Sequence, residues 1–169
     1  MSSPGPGTRV GTGVDVHAYD AGSPLRLAGL DWPGEPGLSG HSDGDAVCHA
    51  VVDALLAAAG LGDIGELVGV DEPGTEGAAS TGFVRLALAR LDAEGWRPVN
   101  VSVQIIGQRP RFSARRAEAQ RVMSELVGAP VSLGATTTDH LGFTGRGEGL
   151  AAIATALVER RTGGSEAPV

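Results

Sequence analysis

The chain has 169 residues, 41% of them hydrophobic and 20% charged, with a formal net charge of −7. That length gives one domain a sizeable core, and that charge argues against non-specific nucleic-acid binding and against a polybasic membrane surface. A single cysteine, Cys48, excludes an intrachain disulfide.

No apolar run approaches the roughly 20 residues of a membrane helix. The opening MSSPGPGT carries no apolar signal segment, so a cytoplasmic protein is expected. Residues 1–7 and 161–169 read as disordered ends around a single domain at 8–160. Aromatics make up only 4% of the chain, so its core must be built from Ala, Val and Leu.

The elements follow in order. Thr8–Tyr19 alternates as a strand, and Leu25–Trp32 reads as a second, with Leu25, Leu27 and Gly29 on one face. Asp43–Ala59 is the clearest helix: Val47, Val51, Ala54, Leu55 and Ala58 form an apolar stripe, Ser42 or Asp43 caps it and Gly60 ends it. Ser80–Glu94 is a second helix, capped by Ser80, with Phe83, Leu86, Ala87, Arg90 and Leu91 on one face and Gly95 as its stop. Pro98–Ile106 is a half-buried strand with Val99, Val101, Val103 and Ile105 inward. Ser113–Val127 is a third helix stopped by Gly128, and Val131–Thr138 is another strand. Gly149–Val158 fits helix or strand. The alternation predicts an α/β or α+β class with helices on one face of the sheet.

On a strand, Asp15 and His17 project from the same face. Two readings fit: an ion pair, or two-thirds of a metal site. His49 can join them if its helix packs beside the strand. Two imidazoles and a carboxylate with an open fourth position make the pattern of a catalytic zinc site. Asp45, His49 and Asp53 follow at i, i+4 and i+8, so either aspartate can orient the imidazole from outside.

Other stretches also carry a functional and a plain reading. His41 and Ser42 sit at the mouth of a helix, where anions bind, or Ser42 simply caps it. Thr136, Thr137 and Thr138 offer hydroxyls at a strand end, followed by Asp139, a hard ligand for a cation such as Mg²⁺; together they form a diphosphate cradle, or merely a strand and a turn. In Gly107–Ser113 the backbone can meet a nucleobase edge, with Arg109 and Arg111 reaching phosphates; otherwise it is a Pro-containing loop. Asp63 can accept polyol hydroxyls or cap a turn. Phe143, Arg146 and Glu148 lie among glycines, as a ligand loop or as a flexible loop with an exposed pair. Cys48 reads as a small buried side chain.

Together, GTGVDVHAY, GHSDGDAVCHAVVDALLAAAGLGDIG, the Gln108–Pro110 loop and TTTDHLGFTGRGEG resemble the 2-C-methyl-D-erythritol 2,4-cyclodiphosphate synthase family of the non-mevalonate isoprenoid pathway, from about Arg9 to Val158. The resemblance implies a homotrimer with active sites between subunits, each subunit packing a four-stranded sheet against helices. It implies Zn²⁺ on Asp15, His17 and His49, and Mg²⁺ or Mn²⁺ on Asp139. His41 and Thr137 would stabilise the transition state. Substrate contacts would come from Ser42, from Asp63, Ile64 and Gly65, from Gly107, Gln108, Arg109, Pro110, Arg111, Phe112 and Ser113 around cytosine, and from Thr136 and Thr138. Phe143, Arg146 and Glu148 would line a trimer cavity able to hold an isoprenoid diphosphate. The implied reaction turns 4-diphosphocytidyl-2-C-methyl-D-erythritol 2-phosphate into the cyclic diphosphate and CMP.

This chain departs from the family pattern at Asp139, where Glu is frequent, at Gly134 and Arg111, where Lys is frequent, and at Val68–Pro73, which reads VGVDEP rather than FPDTDP. Two other functions compete with this one. Another metal-dependent phosphotransfer or phosphohydrolase activity on the same scaffold would release free phosphate without cyclisation, and a binding module would keep the Phe143–Glu148 loop but lose metal ligands.

Overall fold

The computed structural model describes residues 7–69 and 79–161. Much of the expected disordered ends, and residues 70–73 of the divergent loop, lie outside these residues. The elements are β1 (Thr8–Leu27), β2 (Leu30–Leu38), α1 (Ala46–Ala59), α2 (Ile64–Val68), α3 (Ser80–Ala93), β3 (Trp96–Ile106), a 3₁₀ turn (Phe112–Arg115), α4 (Arg116–Val127), β4 (Val131–Thr136), α5 (Gly142–Gly145) and β5 (Gly149–Arg160). Among them no helix is long and apolar enough to cross a membrane.

The sheet has five strands in the order β2-β1-β5-β3-β4, not the four implied by the family resemblance. The reason is the length of β1. Its first half pairs with β5 from Thr8–Glu159 to Ala18–Gly149. Its second half pairs with β2 from Tyr19–Leu38 to Leu27–Leu30, with register shifts between Asp20 and Leu25. The expected strand Leu25–Trp32 is therefore two strands around a tight turn. Ala28 and Gly29 both take positive φ, 53° and 74°, as a two-residue hairpin requires. Both of their N–H groups donate to the Asp45 carboxylate, at 2.9 and 2.7 Å.

Asp45 also caps α1, accepting from the N–H groups of Val47 and Cys48 at 3.1 Å each. The helix starts after Asp45, later than the sequence predicts, because that side chain supplies the cap in place of Ser42 or Asp43. Gly60 ends it at φ +72°, as expected.

Helix α1 lies on β1 and β5. Gly11 and Gly13 let it come close, because a Cβ on either would overlap the α1 backbone at Ala54 and Ala58, or at Ala50 and Ala54. The ambiguous segment is the central strand β5, whose buried Ala152, Ala154 and Ala156 keep the same interface thin. Among the described residues the opposite face of the sheet leaves Val10, Val14, Val16 and Ile153 exposed.

Other boundaries shift for local reasons. The β3 ladder breaks between Pro98 and Asn100, so Val99 is only half-buried, while Val101, Val103 and Ile105 face inward as expected. The third helix is split into the 3₁₀ turn and α4. β4 ends at Thr136, and Leu86 is exposed on α3.

Candidate metal centre

Positions Gly11, Gly13, Asp15 and His17 share one face of β1, so the two glycines that admit α1 lie in line with the two polar side chains. That close packing carries His49 of α1 to them. His17 Nε2 lies 2.7 Å from Asp15 Oδ2, His49 Nδ1 lies 3.5 Å from the same oxygen, and the two ring nitrogens are 3.3 Å apart. One ligand atom from each residue falls within 4.8 Å of the others.

The outer nitrogens explain this orientation. His17 Nδ1 lies 2.5 Å from the Ser39 carbonyl, which can only accept, so the proton sits on Nδ1 and Nε2 turns a lone pair inward. His49 Nε2 meets Ser80 Oγ at 2.9 Å and Ser42 Oγ at 3.1 Å, which leaves Nδ1 to face the centre.

Asp15 Oδ2 is buried and has no hydrogen-bond partner among the described residues despite the close imidazoles. Its short approach to His17 has the distance of a bond without the geometry of one. A buried carboxylate oxygen facing two imidazole lone pairs needs a positive charge between them: a proton or a cation. Burial tends to raise the Asp15 carboxyl, but the two imidazoles outweigh it and hold it at about 2, below its usual 3.8. His17 is raised, chiefly by Asp15, against the opposing effect of burial. Two neutral imidazoles and one carboxylate oxygen suit zinc and similar divalent ions, and three protein ligands leave a position open.

The expected orienting aspartates do something else. Asp45 is committed to the hairpin and the helix cap, and Asp53 Oδ1 accepts from the Ile64 N–H at 2.8 Å. Burial raises the Asp53 carboxyl, and it fixes the start of α2 rather than His49. Of the residues that do contact His49 or His17, Ser80 and the Ser39 carbonyl were not singled out for this from the sequence. Ser80 lies 31 residues from His49, and no local motif joins them.

The remaining candidates form two further groups. His41 is exposed and Ser42 half-buried in the loop before α1, beside a hollow of about 390 Å³ lined by Asp20, Arg26, Ser42 and Asp43 among others. Asp63 caps α2 through the Glu66 N–H at 3.0 Å, with Ile64 and Gly65 half-buried beyond it.

A second hollow of about 470 Å³ joins Gly107, Gln108, Pro110, Arg111, Phe112 and Ser113 to Thr136 and Thr137. Tyr19 holds this loop from both sides, donating to the Arg109 carbonyl at 2.8 Å while the Arg109 N–H approaches its oxygen at 3.3 Å. Phe112 is buried against Trp32, with ring centroids 5.6 Å apart. None of the three metal-centre residues lines this hollow.

Thr138 is turned inward, donating to the Leu141 carbonyl at 2.6 Å beside Thr144 Oγ1 at 2.9 Å. Thr136, Thr137 and Asp139 are exposed, and Asp139 takes a positive φ of 49°. Arg146 and Glu148 form an exposed two-point pair at 2.8 and 3.2 Å, and Phe143 is exposed on α5. Cys48 is buried, and burial pushes its thiol well above its usual range.

The YgbB family model matches residues 8–159. The chain belongs to the YgbB family. A 2-C-methyl-D-erythritol 2,4-cyclodiphosphate synthase from Cutibacterium acnes is 57% identical over 94% of this chain and 95% of its own length. The bifunctional enzyme IspD/IspF of Clavibacter michiganensis is 62% identical over 90% of this chain, which spans 37% of that longer protein. Among solved structures, the CDP complex of IspF from Plasmodium falciparum superposes with a TM-score of 0.79 at 27% identity, covering 92% of this chain and 98% of that one. The metal-centre residues, the Thr-rich segment and the Gly107–Ser113 loop all lie within the stretch that matches the YgbB family.

Proposed function

We propose that this chain is a 2-C-methyl-D-erythritol 2,4-cyclodiphosphate synthase, acting on 4-diphosphocytidyl-2-C-methyl-D-erythritol 2-phosphate in the non-mevalonate isoprenoid pathway. The observation that carries the reading is the convergence of Asp15, His17 and His49 on one buried carboxylate oxygen, unpartnered among the described residues. The synthase names of its relatives and the CDP complex of a structural neighbour support it.

In the reaction an oxygen of the substrate's 2-phosphate forms a bond to the β-phosphorus. The bond from that phosphorus to the bridging oxygen breaks, and CMP leaves with the electron pair. The attacking phosphate has a second pKa of about 6, so it is already largely ionised and no strong base is required. The protein's work is positioning and charge stabilisation. Zn²⁺ held by Asp15, His17 and His49, with Mg²⁺ or Mn²⁺ held by Asp139, supplies neutralisation of the diphosphate charge.

His41 and Ser42, at the mouth of α1, donate to substrate phosphate, and Thr137 donates to the diphosphate from the other side. Asp63, Ile64 and Gly65 hold the polyol hydroxyls. Gly107–Ser113 receives cytosine, with Arg109 and Arg111 near its phosphates. Thr136 lines that hollow with its hydroxyl donating to the Thr137 carbonyl at 3.1 Å, whereas Thr138 acts by bracing the segment.

The separation of the metal centre from the Gly107–Thr137 hollow within one chain supports a homotrimer whose active sites form between subunits. The sheet face with exposed Val10, Val14, Val16 and Ile153 supplies apolar surface for that contact. Phe143, Arg146 and Glu148 then line a shared cavity for an isoprenoid diphosphate. Residues 8–160 act as one domain. The cytoplasm, where an acidic chain with one cysteine fits, is its place of action.

Product analysis tests the reading. Incubation with the substrate, Zn²⁺ and Mg²⁺ should yield CMP and cyclic diphosphate in equal amounts. Free phosphate without cyclisation would instead establish the competing phosphohydrolase.

A further inference from the structure

His49 faces the metal centre through Nδ1, so the position of the proton on its ring decides whether a lone pair is available there. Two hydroxyls approach the other nitrogen, and they are not equivalent. Ser80 is fully buried at the first position of α3, with Oγ 2.9 Å from His49 Nε2. Its hydroxyl hydrogen is donated to Asp43 Oδ1 in a short contact, and its backbone N–H donates to Asp43 Oδ2 at 3.0 Å. With that hydrogen committed to a carboxylate, Ser80 Oγ can only accept from His49. Nε2 must then be the protonated nitrogen and Nδ1 the bare one.

Ser42 Oγ, at 3.1 Å, imposes no such choice. It is half-buried beside an open hollow, it accepts a 3.3 Å bond from the Gly44 N–H, and its own hydrogen can turn to Ser80 Oγ, 3.3 Å away, instead of to His49. The role assigned above to Ser42, donation to phosphate, also draws it away from the imidazole.

We propose that Ser80, held by Asp43, is a positioning residue that keeps His49 in its Nε2–H tautomer and so sets Nδ1 for the metal. Carboxylate, hydroxyl and imidazole form a relay from the loop before α1, through the start of α3, to the metal centre. Its reach is tertiary: Asp43 lies in the loop before α1, and Ser80 lies 37 residues further along the chain. This inference rests on the metal reading of the triad given above.

The test is Zn²⁺ affinity, measured on metal-free protein by competition with a chromophoric chelator, for the parent, Ser80→Ala, Ser80→Thr and Asp43→Asn. Loss of an outer partner of a metal-bound histidine typically weakens binding about 10–100-fold. Ser80→Ala should show a loss of that size, with unchanged far-UV circular dichroism in the metal-free state. Ser80→Thr should regain most of the affinity, because it keeps the hydroxyl. Asp43→Asn should weaken binding too, because the amide can donate to Ser80 and turn the hydroxyl hydrogen toward His49; it decides the matter where Ser80→Ala fails to fold.

The visible spectrum of the Co²⁺-loaded protein should change in Ser80→Ala and revert in Ser80→Thr. Parental Zn²⁺ affinity in folded Ser80→Ala overturns the proposal, as does a loss that Thr leaves unrepaired. A parent that binds Zn²⁺ at the triad but makes no cyclic product refutes the proposed reaction and leaves the Ser80 assignment standing.

Discussion

His17 Nε2 and His49 Nδ1 lie 3.3 Å apart, although the two residues are 32 positions apart and belong to a strand and a helix. Each ring meets the other with a different nitrogen because its outer nitrogen has a different partner, a carbonyl for His17 and a hydroxyl for His49. Asp15 shares the space between them. Replacing it tests the centre with the least change of shape. Asp15→Asn should lower Zn²⁺ affinity by at least the roughly 100-fold upper end seen for outer-shell losses. Chelator competition measures it, and parental affinity would remove Asp15 from the ligand set.

The glycines of β1 make the approach of α1 possible. A Cβ at Gly13 would overlap the Ala50 carbonyl and the Ala54 N–H nitrogen, neither of which is a flexible side-chain end. Gly13→Ala should therefore cost about 1–3 kcal/mol or more, as overpacking does. It should also weaken Zn²⁺ binding by moving His49 away from Asp15. Urea unfolding and chelator competition on the same sample report both. A destabilised variant with parental Zn²⁺ affinity would separate packing from the metal centre.

Asp45 ties the β1–β2 turn to the cap of α1 through four N–H groups. Asp45→Ala removes a helix cap, about 0.5–2 kcal/mol, and leaves buried donors unsatisfied at about 1–3 kcal/mol each. The expected loss is about 3 kcal/mol or more, read from urea midpoints. A loss under about 1 kcal/mol would be no more than that of a cap alone.

The metal-free centre carries a pH signature. The His17 value is raised above 6.5, so its contribution to stability is fully present below 6.5 and fades as pH rises through the raised value. Asp15 works in the opposite sense: its contribution is present above 3.8 and fades as pH falls toward about 2. Zn²⁺ competes with the His17 proton, so the rise in melting temperature on adding Zn²⁺ should grow as pH increases from 6 to 8. Thermal melts across that range measure it, and a Zn²⁺ effect independent of pH would contradict the arrangement.

Tyr19 braces the Gly107–Ser113 loop through the Arg109 backbone. Tyr19→Phe keeps the ring and removes that brace, worth about 0.5–1.5 kcal/mol for an ordinary hydrogen bond. CDP should bind about 2–10-fold more weakly, with Zn²⁺ affinity unchanged. Calorimetric titration with CDP checks this, and unchanged CDP affinity would detach the loop from the nucleotide.

Much of the site was legible in the sequence because its signals are local. The spacing of Asp15 and His17 and the helical stripe that places His49 read directly from strand and helix periods, and the structure brings those three together. The fold was less legible where tertiary contacts decide. The Ala28–Gly29 turn offers little turn chemistry of its own; the Asp45 carboxylate holds it from elsewhere in the chain. The alanines of β5 favour helix locally, yet they form the central strand because α1 packs too closely for larger side chains. Ser80 could not be assigned, since only the fold brings α3 to His49.

Titration of metal-free protein with Zn²⁺, followed by calorimetry, addresses the metal centre most directly. One tightly bound Zn²⁺ per chain, lost in His49→Ala while the metal-free fold is kept, is the predicted result. No tight binding, or the same binding in parent and His49→Ala, would contradict the assignment of Asp15, His17 and His49 as one metal site.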